Sequence, residues 1–89
     1  MPYIKHDRRE YLNPLSQDYP RNPGELNYQI TKVITNYMKT KPALNYQIFN
    51  EIVGVLSCVQ FEFVRRMVSP YEDKKIKENG DVFESLSRG

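Results

Sequence analysis

The fold is decided by one long stretch, LNYQIFNEIVGVLSCVQFEFVRRMV, at residues 44–68. Its apolar residues recur at the spacing of one helical face, at Ile48, Ile52, Val55, Val59 and Phe63. Others widen this face to roughly half of the helix circumference, which is more than a single partner helix covers; they are Phe49, Val53, Leu56 and Met67. The stretch therefore predicts a long helix with more than one packing neighbour.

Upstream of this stretch, residues 25–39 predict a first helix. One of its faces carries the apolar residues Leu26, Ile30, Val33, Ile34, Tyr37 and Met38. Glu25 in the first turn and Lys39 in the last suit the helix dipole, and Lys41-Pro42 ends the helix. Two amphipathic helices joined by a short turn predict an all-α fold built on an antiparallel helical hairpin.

The first 24 residues predict an arm made of loops and one short helix. Asp7 with Glu10 resembles a capping box for a helix over residues 8–12, which Asn13-Pro14 ends. Two prolines and a glycine within residues 20–24 exclude regular structure there. We therefore expect an N-terminal arm at residues 1–24, followed by the hairpin domain at residues 25–83.

The end of the chain predicts a further short helix after a break. Ser69 can cap this helix, Pro70 suits its first position, and Glu72 completes a capping box. Asn79-Gly80 is a natural helix end. Residues 84–89 predict a flexible tail.

The length of 89 residues limits the protein to one small domain. A chain of this size buries only about 60–65% of its unfolded surface, and homo-oligomerisation is a common remedy. Opposite the main apolar face of the long helix, Gly54 and Cys58 would let another helix approach closely, with Phe61 as an apolar knob. The alternative is a chance glycine, which costs about 1 kcal/mol in a helix. We expect a homo-oligomer that uses these three residues as its interface.

The composition argues against several classes of partner. With 13 basic and 11 acidic residues the net charge is +2, far from the basic excess of nucleic-acid-binding proteins. No apolar run approaches the ~20 residues of a membrane span, and the start shows no signal-peptide pattern. Cys58, the single cysteine, excludes an intrachain disulfide and fits a reducing cytoplasm. We therefore expect a cytoplasmic protein without a nucleic-acid or membrane partner.

A cluster of aromatic and basic residues is the best candidate for a ligand site. It consists of Tyr28, Arg65, Arg66, Tyr71 and Lys74, with Asn79 as a further candidate. Guanidinium groups beside aromatic rings suit a phosphate attached to a flat base, by charge-assisted hydrogen bonds and stacking. The alternative is a basic helix end that compensates the dipole and pairs with Glu62, Glu72 and Asp73.

Catalysis and metal binding have little support in the sequence. The one histidine, His6, and the one cysteine lie at no metal-ligand spacing. The carboxylates of Glu72 and Asp73 are adjacent on a predicted helix and so face different directions. We expect a protein that is not an enzyme and that uses neither metal nor cofactor.

Several segments together carry a family resemblance. They are Met1-Pro2-Tyr3-Ile4, Gly24-Glu25-Leu26-Asn27-Tyr28-Gln29-Ile30-Thr31, Asn50-Glu51-Ile52-Val53-Gly54-Val55-Leu56, Arg65-Arg66, Pro70-Tyr71-Glu72-Asp73-Lys74-Lys75-Ile76 and Glu78-Asn79-Gly80-Asp81-Val82-Phe83. They resemble an uncharacterised family of small helical proteins from tailed phages and bacteria. Relatives are longer before the Gly-Glu-Leu-Asn-Tyr segment, where this chain has a proline-rich shortcut. The resemblance implies a phage origin, hence the cytoplasm of a host cell, and brings no established activity.

Two functional hypotheses follow from these patterns. The first is a binding protein that sequesters an anionic, nucleotide-like ligand at a subunit junction. It would act as a sponge against host defence, a role that small non-catalytic phage proteins often have. The second is a protein-interaction module that inhibits or adapts a host or phage protein through exposed tyrosine and phenylalanine side chains.

Overall fold

The computed structural model describes residues 2–13, 18–83 and 86, and all regular structure within these ranges is helical. No strand occurs among the described residues, so the predicted all-α class is confirmed. The flexible tail predicted at residues 84–89 lies outside the described residues except for Leu86. Part of the predicted arm, residues 14–17, also lies outside them.

Helix α1, His6–Leu12, begins before the predicted position and ends at the predicted one. Its N-cap is Lys5, which makes no side-chain cap. Asp7 lies inside the helix, where its Oδ1 accepts a hydrogen bond from the backbone N–H of Arg8 at 3.0 Å. The capping box predicted from Asp7 and Glu10 is therefore wrong, because the helix starts ahead of the residue that was to cap it.

Helix α2, Pro23–Lys39, begins two residues before the predicted start at Glu25, so the prediction that residues 20–24 exclude regular structure is wrong at Pro23 and Gly24. Asn22 Oδ1 accepts from the backbone N–H of Glu25 at 2.9 Å, and Glu25 Oε1 accepts from the backbone N–H of Arg21 at 3.0 Å. The first bond satisfies a donor that the first turn of α2 leaves open, the second bond holds the residue before the N-cap, and Pro23 has no N–H to satisfy. The helix ends at Lys39, as the sequence predicts, and Thr40 Oγ1 donates to the carbonyl of Tyr37 at 2.7 Å.

Helix α3, Tyr46–Phe63, is capped by Asn45, whose Oδ1 accepts from the backbone N–H of Ile48 at 3.1 Å. A π-helical turn, Val64–Val68, follows without a gap, and α4, Ser69–Asn79, continues from it. The predicted break at Ser69-Pro70 is therefore wrong, as is the cap predicted at Ser69. Helical backbone runs through all of Tyr46–Asn79.

The wide turn before Pro70 explains why the helix is not interrupted. In an α-helix a proline lacks one N–H and its ring meets the carbonyl four residues earlier, here that of Arg66. The backbone N–H of Ser69 instead bonds to the carbonyl of Val64, five residues back, which widens the turn at this point. The helix then ends at Gly80, as predicted, with φ at 93°, a value that side chains with a Cβ disfavour.

The chain forms two compact units, Met1–Leu56 and Ser57–Gly89. No described residue in either unit is buried. Ile48 and Ile52 of α3 are half-buried, whereas Val55, Val59 and Phe63 of the predicted apolar face are exposed. The core that the sequence predicts along α3 is thus not completed among the described residues of one chain.

Candidate functional site

An apolar cavity lies between α2 and the first half of α3. It has a volume of about 200 Å³ and is lined by Val33, Ile34, Tyr37, Ile52, Val55 and Leu56. A second cavity of about 430 Å³ shares Ile34 and Leu56 with the first. Its other lining residues are Pro23, Leu26, Asn27, Ile30 and Thr31. We call the two together the α2–α3 groove.

The lining of the α2–α3 groove determines what it can hold. Apolar side chains dominate, and none of its lining residues is a lysine, arginine, histidine or carboxylate. A charged ligand placed here would lose water without gaining an ionic partner, which is unfavourable. The groove therefore suits apolar side chains from a packing partner.

One rim of the groove is polar. The phenolic hydroxyl of Tyr37 donates to Glu51 Oε2 at 3.0 Å, which ties α2 to α3. The ammonium of Lys41 lies 4.5 Å from the centre of the Tyr37 ring. Sequence reasoning gave Tyr37 only an apolar role, because its partner is 14 residues away along the chain.

Tyr28, the first predicted ligand residue, lines a separate cleft in the same unit. This cleft has a volume of about 350 Å³ and is lined by Asp18, Tyr28, Gln29, Lys32, Val33 and Asn36. Lys32 Nζ lies 5.7 Å from the centre of the Tyr28 ring, and Gln29 Nε2 donates to the carbonyl of Asp18 at 2.8 Å. The cleft thus combines an aromatic ring, a cation, a carboxylate and two amides.

Arg65, in the second unit, forms an ion pair with Glu62, three residues earlier in the same continuous helix. Its Nε lies 2.9 Å from Glu62 Oε1 and its Nη2 lies 3.1 Å from Glu62 Oε2, a bidentate pair. Arg66 shares the π-helical turn with Arg65, and Lys74 lies in α4. Within the described ranges, neither Arg66 nor Lys74 forms an ion pair.

The ring of Tyr71 is approached by a residue that the sequence did not single out. Lys75 Nζ lies 5.5 Å from the ring centre and 3.3 Å from Glu78 Oε2. The same spacing of four residues joins Tyr28 to Lys32, and neighbours four residues apart on a helix share a face. This spacing was the signal that could have identified both lysines.

Asn79 is the last residue of α4 and lines a cleft of about 260 Å³. The cleft is lined by Glu72, Lys75, Ile76, Asn79, Gly80, Asp81, Val82 and Phe83. Asp81 Oδ1 accepts from the backbone N–H of Phe83 at 2.8 Å, which turns the chain after the helix. Tyr28 and Asn79, both predicted ligand residues, thus line different clefts in different units.

The predicted interface residues Gly54, Cys58 and Phe61 are all exposed on α3. A methyl group added at Gly54 would meet no atom within 4 Å in the chain. The surface around Gly54 is therefore open to an approaching partner, and the interface stays a prediction.

Two further features bear on the kind of site. Among residues 2–13, 18–83 and 86, no group of three or more His, Cys, Asp or Glu side chains is placed to hold a metal ion. The continuous helix Tyr46–Asn79 is long and apolar enough, by length and composition alone, to cross a membrane. The sequence pointed away from a membrane span because no uninterrupted apolar run approaches ~20 residues.

Comparison with known proteins places residues 1–82 within one family model, described as a domain of unknown function, DUF6899. The predicted resemblance to an uncharacterised family is confirmed by this match. No curated protein and no solved structure matches the chain.

Proposed function

The chain belongs to the DUF6899 family, whose function is unknown, and we propose that it is a non-catalytic protein-interaction module that works as a homo-oligomer. One observation carries this proposal: no described side chain is buried, although both amphipathic helices present apolar faces. Exposed apolar patches on a helical surface mark places where another protein packs.

The surface area of the chain supports a large interface. The accessible surface is 8596 Å², whereas a folded monomer of this mass exposes about 5,500 Å². The excess of about 3,100 Å² is well above the roughly 800 Å² that each partner gives to a standard interface. Two copies together would carry about 6,200 Å² of such excess, above the roughly 2,000 Å² of total buried area at which obligate assemblies begin, in which subunits fold and associate together.

Within each copy we propose the antiparallel hairpin that the sequence predicts. Tyr37 near the end of α2 bonds to Glu51 near the start of α3. Leu26 near the start of α2 lines the same cavity as Leu56, further along α3. These two pairings favour opposite directions for α2 and α3.

We propose that the assembled module binds a host or phage protein, because the sequence resembles a phage family. This partner would contact aromatic side chains that the oligomer leaves exposed. Tyr46, Phe61 and Phe83 are among the most exposed large side chains of the described residues. Aromatic residues of this kind supply much of the binding energy in protein interfaces.

A second candidate function is the binding of an anionic, nucleotide-like ligand. The observation in favour of it is the cleft that Tyr28 lines. Its volume of about 350 Å³ falls within the usual range for small-molecule sites. Tyr28 offers a stacking face and Lys32 a cation next to it. The carboxylate of Asp18 also lines the cleft and repels an anion, so a base with a small charged group fits better than a triphosphate.

Sedimentation velocity combined with circular dichroism over a range of protein concentrations tests the interaction module. We expect a defined oligomer whose helix content and thermal midpoint fall together on dilution, since folding depends on association. A helical monomer with a concentration-independent midpoint would refute the homo-oligomer. Calorimetric titration with mono-, di- and cyclic nucleotides tests the second candidate, with Tyr28→Ala as the control that should abolish any heat.

A further inference from the structure

We infer that the α2–α3 groove is the seam between two copies of this chain, and that each copy places apolar side chains of its own α3 in the groove of the other. This inference rests on the proposed homo-oligomer and adds which face forms the contact. The partner is thus a second copy, and the groove is its binding site.

The groove is built to receive apolar side chains but is left open in one chain. Val55 lines it and is 61% exposed, and Val33, from the facing helix, is 67% exposed. Half-buried Ile34 and Ile52 form part of its inner lining. An apolar concavity with exposed apolar walls has its largest gain when another apolar helix fills it.

The chain itself carries the side chains that such a groove needs. Val55 and Leu56, which line the groove, are themselves 61% and 41% exposed on α3, in the same unit as the groove. A two-fold interface uses the same patch on both copies, so a surface that holds both a groove and apolar knobs is self-complementary. The excess surface of the chain is large enough for this contact.

The Gly54–Cys58–Phe61 stripe is a weaker candidate for the seam. Its residues come from one helix only, and the open space at Gly54 gives a partner no concave surface to fit. The α2–α3 groove has walls from two helices and a hydrogen-bonded rim at Tyr37 and Glu51. Shape complementarity therefore favours the groove.

A lipid bilayer is a less suitable cover for the same surface. Glu51 and Glu62 lie within the apolar part of the long helix, and Arg65 follows directly. Carboxylates in the hydrocarbon region are unfavourable. The Glu51 carboxylate also bonds to Tyr37 of α2, so α2 with its lysines would have to enter the bilayer too.

A matched pair of valines tests the inference. Val53 and Val55 both lie on α3 and are 62% and 61% exposed, but only Val55 lines the groove. We expect Val55→Asp to raise the dissociation constant of the oligomer, measured by sedimentation, at least tenfold, since a buried unpaired charge is strongly unfavourable. We expect Val53→Asp to change this constant by no more than about twofold. The reverse order, or equal effects, would overturn the inference.

A pair of cysteine variants, which introduce no charge, tests the inference if Val55→Asp fails to fold. Val55→Cys and Val53→Cys are each made in the Cys58→Ser background, so that each variant carries a single thiol. The alkylation rate of that thiol measures whether the partner copy covers the position. We expect the thiol at position 55 to react at least tenfold more slowly in the oligomer than after dilution, and the thiol at position 53 to react equally in both. Equal protection at both positions, or protection at position 55 that needs added phospholipid vesicles, would overturn the inference.

These outcomes separate the two proposals. A wild-type chain that is a folded monomer at every concentration removes the homo-oligomer and the seam together. A wild-type oligomer in which position 53 responds and position 55 does not removes the seam alone and leaves the homo-oligomer standing.

Discussion

The hydroxyl of Tyr37 in α2 donates a hydrogen bond to Glu51 Oε2 in α3 at 3.0 Å, across 14 residues of sequence. This bond links the two helices at the rim of the α2–α3 groove. A charged acceptor makes the bond stronger than a neutral one, although its partial exposure reduces the gain.

Tyr37→Phe removes the hydroxyl while keeping the ring. We expect the free energy of unfolding to fall by about 1 kcal/mol, because the bond to Glu51 is lost. Urea denaturation at one fixed protein concentration measures this change. Tyr46→Phe is the control, since the ring of Tyr46 is highly exposed and its hydroxyl has no hydrogen-bond partner among the described residues. A loss that persists undiminished in a Glu51→Ala background would contradict the pairing.

Asn22→Ala removes the cap of α2. The Oδ1 atom of Asn22 accepts from the backbone N–H of Glu25, so its loss leaves a first-turn donor without a protein partner. We expect destabilisation of about 1 kcal/mol, measured as a lower thermal midpoint. Asn22→Asp keeps an accepting oxygen in place and should change the midpoint little. Equal losses in both variants would show that the side chain acts in another way.

Pro70→Ala restores a backbone N–H next to the π-helical turn Val64–Val68. We expect the turn to tighten to α-helix and the free energy of unfolding to rise, by less than the ~3 kcal/mol that a proline costs in a regular helix interior. Amide exchange at Ser69, whose N–H bonds to Val64, reports the change of partner. Pro42→Ala, outside the helices, is the control. A less stable Pro70→Ala variant would mean that the proline itself organises the turn.

Gly54→Ala separates the two candidate interfaces. The added methyl group meets no atom within 4 Å, so we expect a gain of about 0.5–1 kcal/mol from helix propensity and an unchanged oligomer size. Sedimentation and thermal denaturation measure both quantities. A smaller oligomer would instead place the seam at Gly54, Cys58 and Phe61, where the sequence predicted it.

Local signals of the sequence allowed most of the helices to be predicted. The spacing of Leu26, Ile30 and Val33 indicated α2, and its end at Lys39 followed from Lys41-Pro42. The same reasoning failed at Pro70, because a local rule treats proline as a helix break and cannot see that a wide turn accommodates it. At Asp7 a capping pattern matched by chance, inside a helix that had already begun.

The candidate site was less accessible to sequence reasoning. Tyr28 and Asn79 line clefts, but in different units, and Arg65 is held by Glu62. The lysines that meet the tyrosine rings, Lys32 and Lys75, were missed although both follow at helical spacing. Side-chain partners depend on rotamers and distances that residue types do not specify.

The sequence by itself determined the helical class and the end of α2 at Lys39, because apolar periodicity and prolines act within a few residues. Only the tertiary structure decided that Tyr37 pairs with Glu51 and that the apolar face of α3 stays uncovered in one chain. Those features depend on contacts between distant residues and on how much surface one helix can cover, and neither quantity is local to the sequence.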